Sequence, residues 1–68
     1  MNKDILKFSA KLRTIREKKG WSQGELSRQS GIHRTYISGI EKGLRNPSLK
    51  NIYKLAQALE VPPSKFFI

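Results

Sequence analysis

Arg34, Ser38 and Lys42 stand four residues apart, with Thr35 and Gly39 one place along, so on a helix they share one face. Such a face can donate hydrogen bonds to planar or anionic acceptors. The Arg34 guanidinium is a planar fork that fits O6 and N7 of a guanine in the major groove of a duplex; its other uses are a phosphate clamp or a solvated charge. Thr35 can donate or accept at a base edge and set its methyl against that of a thymine, and the shorter Ser38 reaches a base only if the helix sits deep. The Tyr36 ring can pack inward while its hydroxyl reaches a phosphate. Gly39 costs about 0.5–1 kcal/mol relative to alanine in a helix interior: either the missing side chain lets the helix or a neighbour approach a duplex closely, or the position is an indifferent surface one. With no cysteine and one histidine, His33, there is no set of metal ligands. No nucleophile, base and oxyanion donors can be picked out, so catalysis is not expected.

The elements that must hold this face are written in the same stretch. Ser22 is followed three places later by Glu25, a pairing in which the hydroxyl accepts from the Glu25 N–H while the carboxylate reaches back to the Ser22 N–H. Trp21 and Leu26 flank the pair as a hydrophobic staple, which predicts a helix over residues 23–29. Gly31 allows one helix to stop and another to start within about three or four residues. Ile32 and Ile37 bracket His33 as they would a cap or surface residue, and Ile37 with Ile40 turns one side of the next helix, residues 34–42, inward.

Ile5, Phe8, Leu12 and Ile15 predict an amphipathic first helix over 3–19, ended by Gly20. Asn46 is pushed toward extended geometry by Pro47. Ser48 then caps a fourth helix whose apolar face is Leu49, Ile52, Leu55, Ala56 and Leu59. Val61-Pro-Pro opens a last short turn or helix. The expectation is all-α: one domain over 1–68, a compact five-helix bundle with a core of Phe8, Leu12, Ile15, Leu26, Ile37, Ile40, Ile52, Leu55 and Leu59.

Taken together, Trp21-Ser-Gln23, Gly31-Ile, Arg34-Thr-Tyr-Ile-Ser38, Ile40-Glu-Lys-Gly43, Arg45-Asn-Pro-Ser-Leu49, Leu55-Ala56, Leu59 and Val61-Pro-Pro-Ser-Lys-Phe-Phe67 resemble the Cro/CI-type (XRE-like) helix-turn-helix regulators, from about Phe8 to Phe67. Within that family the string from Arg34 to Glu41 with Arg45-Asn46 looks most like the controller proteins of restriction–modification systems. The resemblance implies a lambda-repressor-like domain acting as a homodimer on double-stranded, palindromic or pseudo-palindromic operator DNA; a contact with RNA polymerase stays open. Base contacts then fall to Arg34, Thr35 and Ser38. Phosphate contacts fall to Ser22 and Gln23 at the start of the second helix, to Tyr36 and Lys42, and to Arg45, Asn46 and Ser48 beyond the third. The resemblance also implies an ion pair between Arg16 and Glu41. No cofactor and no metal are expected.

Sixty-eight residues without cysteine must fold on packed helices alone, near the lower size limit for a domain. The net charge of +9, from fourteen Lys and Arg against five Asp and Glu, attracts polyanions, although solvated surface accounts for such lysines equally well. No apolar run approaches the ~20 residues of a membrane span, so a cytoplasmic protein is expected. Phe66, Phe67 and Ile68 would leave an apolar patch in water. Either Phe66 and Ile68 tuck under the first helix, or all three form a dimer interface in the region of helices four and five. A phage-type repressor, an antitoxin autoregulator, a non-specific polyanion or membrane-surface binder and a protein-only module are the alternatives.

Overall fold

Helix starts follow the side chains that cap them. Ser22 Oγ accepts from the Glu25 N–H at 3.0 Å and Ser48 Oγ from the Asn51 N–H at 3.2 Å. Each contact satisfies a donor that the first helical turn leaves free, worth about 1 kcal/mol. These caps open two of the four α-helices in the computed structural model, which describes residues 3–68. The helices are α1 (Lys3–Lys18), α2 (Gln23–Ser30), α3 (Arg34–Glu41) and α4 (Leu49–Leu59). Only half of the expected capping box forms. The Glu25 carboxylate accepts from Arg28 and Gln29 on its own helix, two donors one turn on that hold it away from the Ser22 N–H. His33 occupies the cap position of α3 without a side-chain bond to the helix.

The turns are set by backbone that only glycine enters at no steric cost. Gly31, at φ 75°, closes α2 by donating its N–H to Ser27 O at 2.9 Å. Gly43, at φ 74°, donates to Ile40 O at 3.0 Å, and the Leu44 N–H reaches back to Gly39 O at 2.9 Å. This double closure is the Schellman arrangement. It stops α3 at Glu41, one residue before the expected end.

The last element, expected as a short turn or helix and counted as the fifth of the bundle, is a 3-10 helix, Pro63–Phe67, so the bundle has four α-helices and this turn. The segment closes through the Lys65 N–H to Pro62 O at 2.9 Å, the three-residue spacing of a 3-10 turn. The fold is all-helical, with no strand among the described residues. None of the described helices is long and apolar enough to cross a membrane.

Phe8, Leu12, Leu26, Ile32, Ile37, Ile40, Leu55, Ala56, Leu59 and Phe66 form the core. α2 packs on α3 and α4, while α1 packs on α3 and on the 3-10 helix. Ile15 and Ile52, expected in the core, line its edge. Leu49, expected on the buried face of α4, is 67% exposed, because the first residue after the cap precedes the turn that faces inward.

Candidate nucleic-acid interface

Two fully buried isoleucines fix the orientation of α3. Ile37 and Ile40 lie in the core, so the opposite side carries Arg34, Thr35 and Lys42 exposed, with Ser38 and Gly39 half-buried between them. Arg34, Thr35, Ser38 and Lys42 line one open trough, joined by Gln23 from the start of α2 and by Leu44 and Arg45 from the loop after α3. The lining holds three cations and no carboxylate. At +9 overall, this surface is attractive to anions and supplied with donors throughout.

The end of α3 is pinned to α1 in two ways. Arg16 Nε and Nη2 donate to the two oxygens of Glu41 at 2.7 and 3.0 Å, and Nη1 donates to the Trp21 carbonyl at 2.6 Å. Both side chains are nearly inaccessible, at 9% and 3% exposure. The Glu41 hydrogen bond outweighs desolvation and holds the guanidinium's pKa above its ordinary value. Beside it, the Ser9 hydroxyl lies 2.5 Å from Ile40 O and 2.7 Å from Ile5 O, its one proton serving both carbonyls. Ser9 had no sequence signal, since its partner is thirty-one residues away.

Gln23 Nε2 donates to Glu41 Oε1 at 3.0 Å. The amide is therefore oriented by the buried ion pair, with its second N–H available to another acceptor. Tyr36 is half-buried against the core, and its hydroxyl donates to Asn46 O at 3.4 Å. That long bond ties α3 to the loop before Pro47. The Arg45 guanidinium lies over the Tyr36 ring, 5.6 Å from its centroid. Ser22 and Ser48 face outward at the starts of α2 and α4, their oxygens engaged in capping.

The sequence profile of the Helix-turn-helix family matches residues 12–66. The chain belongs to the helix-turn-helix family. It is similar to the control protein C.BamHI of Bacillus amyloliquefaciens, 51% identical over 59 residues that cover 85% of this chain and 73% of the relative. It is also similar to a hypothetical transcription factor of Neisseria meningitidis, 52% identical over 50 residues. That match covers 74% of this chain but only 47% of the Neisseria protein, so the chain spans about half of that relative.

Among solved structures, the restriction-modification controller C.AhdI from Aeromonas hydrophila superposes with a TM-score of 0.94 at 47% identity, over 97% of this chain and 100% of that one. The controller C.Esp1396I, solved as a tetramer with its natural 35 base-pair operator, gives 0.91 at 37% identity, over 98% of this chain and 88% of that one.

In this helix-turn-helix chain the structure gathers six of the residues expected at the site into one trough: Gln23, Arg34, Thr35, Ser38, Lys42 and Arg45. Ser22, Tyr36, Asn46 and Ser48 are outside its lining. Leu44, 70% exposed within the trough, was missed; its only signal is an aliphatic residue directly after a turn glycine. The tail divides. Phe66 is 1% exposed, its ring 5.0 Å from that of Phe8, and belongs to the monomer core. This corrects its place among the surface residues expected at a dimer interface. Phe67 and Ile68, at 64% and 74%, remain exposed beside α1.

Proposed function

We propose that this chain is a homodimeric, sequence-specific DNA-binding regulator of transcription, acting as the controller of a restriction–modification system. The observation that carries the reading is the trough on α3: three cations, two hydroxyls and an amide on one outward surface, with no carboxylate. A helix of eight residues is about 12 Å long, a length that the major groove admits. In this reading Arg34, Thr35 and Ser38 meet base edges. Gln23 and the free N–H groups after Ser22 and Ser48 meet phosphates, with Tyr36, Lys42, Arg45 and Asn46 adding contacts from the end of α3 and its loop. α3, at about 12 Å, reaches into one stretch of major groove only, whereas half-sites one helical turn apart are separated by ~34 Å. One copy therefore serves one half-site, and Phe67 with Ile68 offers an apolar surface for joining two. The operator lies before the protein's own gene and an endonuclease gene, where bound protein activates or represses and meets RNA polymerase.

A footprint on the DNA directly upstream of the gene tests this, with two protected half-sites on one face of the duplex as the expected result. Arg34→Ala should weaken binding to that site by about 1–3 kcal/mol and affect random DNA much less, because a bidentate base contact is lost. Equal losses on both would make Arg34 a phosphate contact only.

A further inference from the structure

Gly39 lies inside α3, where glycine weakens a helix and no positive φ requires it. A methyl group built at this position would meet Cγ and Cδ of Arg45 at 3.0 Å and its Nε at 3.2 Å. Non-bonded carbon atoms settle at about 3.5–4.0 Å, so the Arg45 stem occupies the space that a side chain at position 39 would take. The same glycine holds the loop through its backbone. Its carbonyl accepts from Leu44 N–H at 2.9 Å and Arg45 N–H at 3.2 Å, while the Tyr36 ring lies under the far end of Arg45.

We propose that Gly39 is a positioning residue for DNA recognition: its missing side chain is the slot that seats Arg45 across α3 and brings the guanidinium into the trough beside Arg34 and Ser38. This rests on the reading of the trough as the DNA-binding surface. Arg45 then acts from the helix face as part of the recognition surface, and not as a free clamp on a loose loop. The position is sensitive to size in a way that opposes stability. A methyl group favours the helix, and because the exposed arginine is far easier to move than the packed helix, it displaces Arg45 and leaves the fold intact.

The experiment is a double-mutant cycle on operator binding with the full chain: wild type, Gly39→Ala, Arg45→Ala and both together, each also followed by thermal unfolding. Gly39→Ala is expected to unfold a few degrees higher, by about 2–6 °C, yet to bind the operator on the order of tenfold more weakly. Arg45→Ala is expected to weaken binding about as much in the wild type but less than about twofold in the Gly39→Ala background. A merely structural role would move stability and affinity in the same direction. Equal costs for Arg45→Ala in both backgrounds would overturn the proposal, since the added methyl would then be meeting the DNA itself; so would a Gly39→Ala variant that binds like wild type. Arg34→Ala in the same assay separates the two levels: no loss there undermines the trough as the binding surface, whereas a loss there with no Gly39–Arg45 coupling removes only the slot.

Discussion

Arg16→Met is expected to cost about 3–5 kcal/mol, the penalty for leaving a buried charge without its partner. Glu41 is 3% exposed and depends on Arg16 for both of its oxygens, with Gln23 as its other donor. At roughly 0.05–0.15 kcal/mol per residue, a chain of 68 residues has a total stability of about 3–10 kcal/mol. The variant should therefore be largely unfolded at moderate denaturant, with the loss read from the urea midpoint. Replacing both partners, as Arg16→Met with Glu41→Leu, should restore most of the stability, because a buried ion pair adds little over well-packed apolar groups. The double variant should still bind operator less well, since the Gln23 amide has lost the acceptor that orients it. A double variant as unstable as the single one would mean that the pair is itself a main source of stability.

The tail should give two opposite outcomes at adjacent residues. Phe66→Ala removes a ring that is 1% exposed and stacked at a tilt against Phe8, and large-to-small changes at such sites cost about 3–5 kcal/mol. Loss of the cooperative unfolding transition, or a sharply lowered midpoint, is the result expected from circular dichroism. Phe67→Asp alters a residue that is 64% exposed and should leave the helical signal intact. It should shift the protein toward monomer in sedimentation and lower operator affinity, since each half-site would lose its tethered neighbour. A Phe67→Asp variant that stays dimeric would place the interface elsewhere, with Leu49 and Tyr53, at 67% and 57% exposure on α4, as one further apolar surface.

The parts of this molecule set by neighbours in sequence were legible from it. Ser22 and Ser48 announced the helices they cap, and the isoleucines at 37 and 40 announced which side of α3 turns inward, so Arg34, Thr35 and Ser38 could be placed together on its outward face. What was not legible depends on partners far along the chain. Nothing near Ser9 signals a bond to Ile40, and nothing separates Phe66 from Phe67 until the 3-10 helix buries one in the core and leaves the other largely exposed, its ring lying against that of Phe8 at 5.7 Å between centroids. Leu49 continues the apolar spacing of α4 and is exposed all the same, because spacing does not say where the first turn meets the core. Gly39 was legible as an oddity but not as a slot, since the arginine that fills it arrives from a loop whose path is set by the Gly43 turn.

What the molecule does turns most directly on whether the trough reads sequence. A competition titration of the full chain against labelled operator should use unlabelled operator and random duplex of equal length, at a fixed salt concentration near physiological. Sequence reading through α3 predicts that operator competes at least about a thousandfold better than random DNA. Counterion release alone is blind to sequence, so equal competition by the two duplexes would contradict the account and leave only a basic surface that binds any polyanion.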